Sequence, residues 1–372
     1  MRLKLKSLWT QFADRVAPTR VKTRSILLRV IQDIIAKEGP ISLERYMEIV
    51  LQHPQHGYYR QGNPIGSDFE TAPEISQMFG EMLGLWCFQS WQDMGKPDPF
   101  VVLELGPGRG TLMYDLLRFM EPAPDFRDAL RLRFLESNAT LRALQQEKLC
   151  AYSPIHLDDL SQMEALPTIV IANEFFDNMP VRQFVKTQSG WRERLVDCQN
   201  GQLVLAEGKE KTSLPPEFET QEFDHKEPGW IYEVSSQTNH IMRQLVSHVA
   251  RHNGAGIVID YGPDAPCGKE TLDAWSQQKP THILAEPGKV DVTADVDFSS
   301  LRRIAESQGL ATGLVGQGAF LQTQGIMQRS AALCSHAPEA QEKINRDLYH
   351  LLSPSKMGVL WKTLTFRPQN RE

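Results

Sequence analysis

The sequence lacks the paired cysteines and the long apolar runs that identify several classes of protein. Its five cysteines are scattered along the chain and include no C-x-x-C pair, so they predict neither a zinc site nor a redox couple, and they fit reduced thiols in a cytosol. No apolar run approaches the roughly 18 to 20 residues that a membrane-spanning helix needs. The best candidate, residues 78–88, is short and contains Glu81. We therefore expect no transmembrane segment.

The sequence also lacks an excess of positive charge. Forty Lys and Arg residues stand against 46 Asp and Glu residues, which gives a formal net charge of -6. Proteins whose main affinity comes from neutralising phosphates carry an excess of basic residues, so we expect no nucleic-acid partner. Residues 1–24 hold seven bases and one acid; the other 33 bases and 45 acids give the rest of the chain a charge of about -12. An acidic body of this kind favours cationic partners.

The N-terminus lacks the long apolar stretch and the small-residue cleavage site of a secretory signal. Segment 1–24 is instead rich in Arg and poor in acids, as organellar presequences are. We expect a cytoplasmic protein, with the mitochondrial matrix as the alternative location.

The hydrophobic pattern changes along the chain from helices to alternating strands and helices. Apolar residues at helical spacing predict helices over residues 25–36, from 42 to a break at 53–54, and over 75–94. Short apolar runs then predict strands at 100–105, 130–135, 168–172, 256–261, 311–315 and 359–366. Strands separated by helices indicate a mostly parallel sheet covered by helices on both faces. The predicted fold class is α/β.

Two segments interrupt this alternation. Residues 181–234 contain runs of period two joined at Asn200 and Gly201, which is a strong hairpin signal and predicts an antiparallel β insertion. Residues 262–293 are polar, contain four prolines and show no clear period, so we expect a lid or a substrate-binding loop. The predicted layout is a basic arm over 1–24, a helical region over 25–96, and a core over 97–372 that contains both insertions.

The sequence most informative about chemistry follows the first predicted strand. Glu104, Gly106, Gly108 and Gly110 form the pattern E-x-G-x-G-x-G between a buried strand and a helix. Glycines at such a turn allow positive φ angles and a close approach of a ligand to the backbone, and the helix N-terminus offers free N–H groups. The loop lacks the G-x-G-x-x-G spacing of dinucleotide-binding proteins, which argues against a nicotinamide dehydrogenase.

This loop resembles motif I of class I S-adenosylmethionine (SAM) methyltransferases, and the resemblance implies SAM as the cofactor. Such folds use a carboxylate after the second strand to hold the ribose hydroxyls, and Glu136 stands at that point here. Asp158 and Asp159 follow the apolar residues 155–157 and would form the next acidic edge, near the adenine. The alternative interpretation is a tight strand-to-helix turn that binds no ligand, with Glu136 there by chance.

Three polar residues, Asn173, Glu174 and Asp177, follow the apolar run at 168–172. Ligands of doubly wound sheets bind at the carboxyl ends of the strands, so we expect these side chains beside the transferable methyl group. A guanidinium acceptor is cationic and poorly reactive, and carboxylates can orient it and take up its charge. Glu174 and Asp177 are therefore the predicted catalytic residues, with Asn173 beside them. The alternative is that Glu174 caps a helix and that the two following Phe residues belong to the core.

Seven segments resemble the MidA family of methyltransferases: residues 67–81, 104–113, 172–181, 258–262, 287–293, 296–298 and 317–321. The resemblance extends over roughly residues 25–366, nearly everything except the basic arm. It implies a class I, Rossmann-like fold with a seven-stranded, mostly parallel sheet whose last strand is antiparallel. N-terminal helices and β or loop insertions are added to this sheet. The family includes a mitochondrial assembly factor that symmetrically dimethylates an arginine on a core subunit of respiratory complex I. The resemblance therefore implies a protein arginine N-methyltransferase whose partner is an NADH dehydrogenase-like subunit.

Two other functions fit the same residues. One is a SAM-binding assembly factor whose docking matters more than turnover, and the other is a small-molecule methyltransferase. The oligomeric state is left open.

Several weaker signals have two interpretations each. Tyr58 and Tyr59 either close over the cofactor or pack with the N-terminal helices. Arg109 either pairs with a carboxylate near SAM or faces solvent. Asp260 either shapes the substrate channel or is a buried structural residue. Neither pair of neighbouring histidines has a third ligand, so we expect no metal site.

Overall fold

The computed structural model describes residues 26–60, 71–209, 212, 214, 225–276 and 279–369. The predicted basic arm at 1–24 lies outside the described residues, as do residues 67–70 of the first family segment and residues 215–224 of the predicted β insertion.

The helices of the described residues are α1 Ile26–Glu38, α2 Leu43–Gln52, α3 Ala72–Ile75, α4 Gln77–Asp93, α5 Thr111–Phe119, α6 Pro124–Ala129, α7 Ala139–Lys148, α8 Ser236–Arg251, α9 Phe298–Ser307, α10 Gln317–Thr323, α11 Ile326–His336, α12 Gln341–Leu352 and α13 Met357–Leu360. The strands are β1 Ile41–Ser42, β2 Phe100–Leu105, β3 Leu130–Leu135, β4 Ile155–Leu157, β5 Thr168–Asn173, β6 Arg182–Thr187, β7 Gly190–Gln199, β8 Gln202–Glu207, β9 Ile231–Val234, β10 Ala255–Tyr261, β11 Asp273–Ser276, β12 Lys279–Thr281, β13 Asp291–Thr293, β14 Leu310–Gly316 and β15 Trp361–Pro368.

Seven strands of the described chain form the central sheet, in the order β14-β15-β10-β5-β2-β3-β4. Five neighbouring strands, β10, β5, β2, β3 and β4, run parallel to one another. Strand β15 is antiparallel to both of its neighbours, β10 and β14. Every residue of β2 and β10 is buried, as expected for strands covered by helices on both faces. The predicted α/β class, the seven-stranded sheet and its antiparallel last strand are confirmed.

Two hydrophobic clusters pack on the two faces of this sheet. Side chains of α4 and α5, including Phe79 and Leu116, cover one face together with residues of α10, α11 and α12. Side chains of α8 and α9, including Leu245 and Leu301, cover the other face. Packing on both faces fixes the strand ends that carry the polar residues of interest.

The helix predicted over residues 75–94 is divided in two in the structure. Ser76, between α3 and α4, has an extended backbone, with φ of -155° and ψ of 134°. Its Oγ accepts a hydrogen bond from the Met78 N–H (3.4 Å) and so caps α4. A serine that bonds to the backbone in this way competes with helix continuation, which explains the break.

The last strand begins at Trp361, although the apolar run that predicts it begins at Val359. The residues before it form the helical turn α13, which packs against the end of α12. A Cβ on Gly358 would lie 1.9 Å from the Leu352 carbonyl oxygen, so only glycine allows this approach.

A second, antiparallel sheet follows β5. Its order is β1-β7-β6-β9, with β8 paired to β7. The hairpin predicted at Asn200 and Gly201 is present, with φ of 52° and 75° at the two turn residues. Strand β1 comes from the N-terminal helical region and pairs with β7, so that region and this sheet form one packed unit.

Residues 262–293, here called the lid segment, show no period in the sequence, yet they contain the small antiparallel sheet β12-β11-β13. Each strand has three or four residues, too few for a recognisable period. Leu272, Ala274 and Val292 of the lid segment pack in one cluster with α1 and α2.

Among the described residues, no helix combines the length and the apolar character that crossing a membrane requires.

Candidate functional site

A cleft of about 1020 Å³ lies at the carboxyl ends of β2, β3, β5 and β10. The glycine loop after β2 and residues of the lid segment both border it. Eight predicted site residues line this cleft: Glu104, Gly106, Gly108, Glu136, Asp158, Asn173, Glu174 and Asp177. Gly110 and Asp159 lie outside the lining.

The glycine loop has a backbone conformation that favours glycine. Gly106, Gly108 and Gly110 have φ angles of 60°, 54° and 71°, in the left-handed region where other residues are strained. A Cβ on Gly106 would lie 3.0 Å from the ring of Phe175, and Gly110 is the N-cap of α5. The Gly108 carbonyl oxygen accepts a hydrogen bond from Gln145 Nε2 at 2.6 Å. Contacts on both sides therefore hold the loop at the cleft.

Two acidic side chains stand beside this loop. Glu104 is only 3% exposed, and burial together with the carboxylate of Glu136 raises the pKa of Glu104 to about 8. Its Oε2 atom has no hydrogen-bond partner among the residues that the structure describes. Glu136 Oε1 accepts a hydrogen bond from the Asn138 N–H at 2.8 Å, and burial raises the pKa of Glu136 despite such bonds.

Arg142 connects the acidic residues that follow β3 and β4. Its Nε donates to the Glu136 carbonyl oxygen at 2.6 Å, and its Nη2 donates to Asp158 Oδ1 at 2.7 Å. The carboxylate of Asp159 instead accepts the Ser161 N–H (2.8 Å) and caps the 3-10 turn Leu160–Gln162. Of the two predicted aspartates, only Asp158 therefore belongs to the cleft.

The residues after β5 have an unusual backbone. Glu174 has a φ of 48°, a conformation that costs a non-glycine residue about 1–3 kcal/mol. Its N–H donates to the Ile259 carbonyl oxygen at 2.8 Å, which holds this turn against β10. Glu174 Oε1 accepts hydrogen bonds from the Ala72 N–H (3.3 Å) and Asn173 Nδ2 (3.4 Å). Glu174 thus lines the cleft, as predicted, and its bond to the first residue of α3 agrees with the helix-capping interpretation.

Asp260 holds the same turn through hydrogen bonds to its backbone. It is fully buried at the end of β10, where its Oδ2 accepts the N–H groups of Phe176 (3.0 Å) and Asp177 (3.3 Å) and its Oδ1 accepts that of Tyr261 (2.9 Å). Burial and the carboxylates of Asp177 and Glu174 raise the pKa of Asp260 well above its usual range. The structural interpretation of Asp260 is confirmed, since its contacts are with backbone groups.

The sequence patterns missed Asp291 as a polar residue of the cleft and did not predict that Tyr59 bonds to it. The Tyr59 hydroxyl donates to Asp291 Oδ1 at 2.7 Å, and Asn178 Nδ2 lies 3.4 Å from the same oxygen. Asp291 begins β13 of the lid segment and is 3% exposed, yet it lines the cleft. The available signal was the family segment at 287–293, which contains Asp291 without indicating a role for it.

Aromatic side chains from three parts of the chain also line the cleft. Tyr261 ends β10, Trp275 lies on β11 and Trp361 begins β15, and all three line the cleft. The rings of Tyr261 and Trp361 lie 5.3 Å apart. Aromatic faces beside carboxylates form a surface that suits a cation.

The residues that line the cleft fall into two groups, which we name after the roles that the sequence predicts for them. We call the first group the cofactor end; it comprises Glu104, the glycine loop, Glu136 and Asp158. We call the second group the acceptor end; it comprises Asn173, Glu174, Asp177, Asp291, Tyr59, Tyr261, Trp275 and Trp361.

The 3-10 turn Tyr58–Arg60 joins the N-terminal region to the cofactor end. Arg60 Nη1 donates to the Ser137 carbonyl oxygen at 2.6 Å, and Asn138 Nδ2 donates to the Tyr59 carbonyl oxygen at 2.8 Å. Tyr58 is 8% exposed, packs with α2 and also borders the cleft. The interpretation that the tyrosine pair packs with the N-terminal helices is confirmed, and both tyrosines also line the cleft.

Arg109 pairs with a carboxylate at the edge of the cleft. Its Nη1 lies 3.9 Å from Glu74 Oε2, and the other oxygen of Glu74 accepts a hydrogen bond from Thr111 Oγ1 at 2.8 Å. The guanidinium is also 36% exposed, so this pair contributes little energy.

The cofactor end fits SAM by the chemistry of its groups. A buried carboxylate oxygen of Glu104 without a partner among the described residues suits a hydrogen-bond donor, and SAM carries an amino group and two ribose hydroxyls. The glycine loop allows a ligand to approach its backbone closely. Among the described residues, no group of three or more His, Cys, Asp or Glu side chains is arranged to hold a metal ion.

Comparisons with known proteins agree with this chemistry. Residues 82–315 match the family described as "Putative S-adenosyl-L-methionine-dependent methyltransferase". The chain is 33% identical to the zebrafish (Danio rerio) protein arginine methyltransferase NDUFAF7, mitochondrial, over 96% of this chain and 89% of that protein. The human protein of the same name is also 33% identical, over 93% of this chain and 84% of that protein.

A solved structure is similar along almost the whole chain. It is a COG1565 superfamily member from Burkholderia thailandensis with S-adenosyl-homocysteine bound. The sequences are 28% identical, the TM-score is 0.80, and the match covers 92% of this chain and 91% of that one.

Proposed function

The chain belongs to the MidA family of SAM-dependent methyltransferases, and on that premise we propose that it methylates an arginine side chain of a partner protein. The observation that carries the proposal is the acceptor end, where the carboxylates of Glu174, Asp177 and Asp291 share a cavity with aromatic rings. This combination suits a guanidinium, which is planar, permanently charged and able to stack.

We propose that the cofactor end binds SAM through residues of three strand ends. Glu104 would accept a hydrogen bond from the amino end, and Glu136 would hold the ribose hydroxyls. Asp158, joined to the Glu136 backbone by Arg142, would border the adenine. Gly106 and Gly108 would allow close approach of the ligand, whereas Gly110 would act indirectly by starting α5. We assign Asp159 to the 3-10 turn that it caps.

The bound cofactor supplies an electrophilic methyl group on its sulfonium. The chain supplies the position and the charge of the acceptor: Glu174 and Asp177 would orient the guanidinium and receive the proton that its nitrogen loses. Asn173 would fix the carboxylate of Glu174, to which its Nδ2 already donates. Asp260 holds the backbone N–H of Asp177 and so positions this residue without contacting substrate.

The similar NDUFAF7 proteins are named protein arginine methyltransferases. These names, with the acidic and aromatic acceptor end, support an arginine acceptor on an NADH dehydrogenase-like subunit. We further propose that the protein acts in a bacterial cytoplasm. We also propose that residues 97–372 form one methyltransferase core with insertions at 181–234 and 262–293. A helical region at 25–96 and a basic arm at 1–24 precede this core.

Intact-mass analysis of NADH dehydrogenase subunits tests the substrate. One subunit purified from wild-type cells should be heavier by methyl groups than the same subunit from cells lacking the gene. Complementation with wild type should restore the mass, whereas Glu174→Gln should not. Identical subunit masses in the presence and absence of the gene would contradict the proposed substrate.

A further inference from the structure

A carboxylate of the lid segment, Asp291, lies at the acceptor end although it is far in sequence from the residues after β5. It is 3% exposed, and its Oδ1 atom accepts the Tyr59 hydroxyl at 2.7 Å and Asn178 Nδ2 at 3.4 Å. Its position thus depends on three segments: the 3-10 turn at 58–60, the turn after β5, and β13.

Resting on the arginine acceptor proposed above, we propose that Asp291 is a third guanidinium-binding carboxylate and that Tyr59 is the positioning residue that orients it. The short bond from the phenol fixes one oxygen of Asp291, and thereby the plane of the whole carboxylate. A planar guanidinium has five N–H donors in a fixed arrangement, so it binds most strongly to carboxylates whose orientation is also fixed. Asp177 and Glu174 supply the other two carboxylates from the turn after β5.

The protonation of Tyr59 agrees with this role. Burial, and then the carboxylates of Asp291 and Asp177, raise the pKa of Tyr59 well above its usual range. The phenol therefore keeps its proton at neutral pH and acts as the donor in its hydrogen bond to Asp291. A carboxylate held in this way attracts a guanidinium much more strongly than it attracts a neutral acceptor of the same shape.

Binding measurements with a neutral analogue test the assignment. The probes are Nα-acetyl-arginine methylamide and the corresponding citrulline compound, which has the same shape without the charge. Each is titrated by NMR into the full chain saturated with S-adenosyl-homocysteine. Wild type should prefer the arginine compound. Asp291→Asn should reduce this preference about 10-fold or more, and Tyr59→Phe about 3-fold or more, as the loss of one charge-assisted or one ordinary hydrogen bond predicts.

Two controls separate orientation of the carboxylate from general loosening of the lid segment. Affinity for S-adenosyl-homocysteine should stay at the wild-type value in both variants. Tyr46→Phe removes another buried phenol bond to the same segment, from Tyr46 to the Ile283 carbonyl oxygen at 2.7 Å, but Tyr46 lies outside the cleft lining. This control should retain the wild-type preference for arginine.

The possible results are distinguishable. If wild type prefers arginine and Asp291→Asn or Tyr59→Phe keeps that preference, the role of Asp291 or of Tyr59 is wrong while the arginine acceptor stands. An equal loss in Tyr46→Phe would also overturn the positioning role of Tyr59, because movement of the lid would explain it. If wild type shows no preference for arginine, both this inference and the arginine acceptor are contradicted.

Discussion

Glu104 is a residue whose ionisation should be visible in the stability of the protein. Burial and the neighbouring Glu136 raise its pKa from 4.5 to about 8. The folded state therefore binds a proton between these two values that the unfolded state has released, so this group lowers stability as the pH rises through that window.

We expect Glu104→Gln to remove this dependence. In thermal unfolding without SAM, the Tm of wild type should fall between pH 5.5 and 8.5 by about 2 °C for each kcal/mol lost, and the fall should be smaller in the variant. Glu306→Gln is the matched control, because Glu306 is exposed and its pKa is lowered by hydrogen bonds to Arg302 and Thr312. An unchanged pH dependence in Glu104→Gln would show that Glu104 ionises normally.

Gly108 should be essential for cofactor binding for two reasons. Its φ of 54° strains any other residue, and it lines the cofactor end, where a side chain would enter the ligand's space. We expect Gly108→Val to abolish SAM binding in calorimetry. Gly309→Val is the control, since Gly309 also has a positive φ, 74°, but has open space around it. That variant should lose about 1–2 kcal/mol of stability and still bind SAM. Undiminished binding by Gly108→Val would contradict the assignment of the loop.

At the scale of elements, the lid segment is tied to the second sheet by one buried carboxylate. Glu233 on β9 accepts hydrogen bonds from the N–H (3.0 Å) and the hydroxyl of Thr271, and from Gln183 Nε2 at 2.7 Å. Thr271 Oγ1 in turn accepts the Asp295 N–H at 2.9 Å. Glu233 thus holds the lid segment at Thr271, and Thr271 in turn bonds to the chain just after the segment.

We expect Glu233→Ala to loosen the lid segment without affecting the cofactor end. Protease cleavage within residues 262–293 should accelerate about 10-fold for each 1.4 kcal/mol of local stability lost. The KM for the acceptor protein should rise while SAM affinity stays constant. Glu193→Ala is the control, because Glu193 pairs with Arg182 in the same sheet, at 2.7 Å, without bonding to the lid segment. Equal cleavage in both variants would contradict an anchoring role specific to Glu233.

The sequence predicts some elements well for identifiable reasons. The bounds of β2 and β3 agree with the predicted runs. Each strand is a six-residue segment with apolar residues in most or every second position, and each lies next to a turn or a helix that marks its ends. Strands β11 to β13 could not be predicted, since they are short, polar and stabilised by pairing and by packing on α1 and α2. Local patterns do not contain such distant contacts.

The same distinction applies to the cleft. Glu104 lies at the end of β2, and Glu136 and Glu174 directly follow β3 and β5, so strand order alone brings them to one sheet edge. Tyr59 and Asp291 are 232 residues apart and meet only because the N-terminal region and the lid segment both fold over that edge. Period and spacing give no information about such a pair.

At the scale of the whole molecule, charge and shape favour the same acceptor. Outside residues 1–24 the chain carries a net charge of about -12, which attracts cationic partners over distances longer than a hydrogen bond. Within the cleft, the acceptor end places carboxylates beside aromatic rings. The long-range charge would bring a basic segment to the surface, and the acceptor end would select its arginine.

The central claim is methyl transfer from SAM to an arginine of a respiratory subunit, and one measurement tests it most directly. NADH dehydrogenase subunits from cells lacking the gene are incubated with the purified full chain and SAM that carries a deuterated methyl group, and tandem mass spectrometry locates the label. We predict a deuterated methyl on one arginine with wild type, and little or none with Glu174→Gln at unchanged SAM affinity. Label on another type of residue, equal label with Glu174→Gln, or no label with wild type would contradict the account.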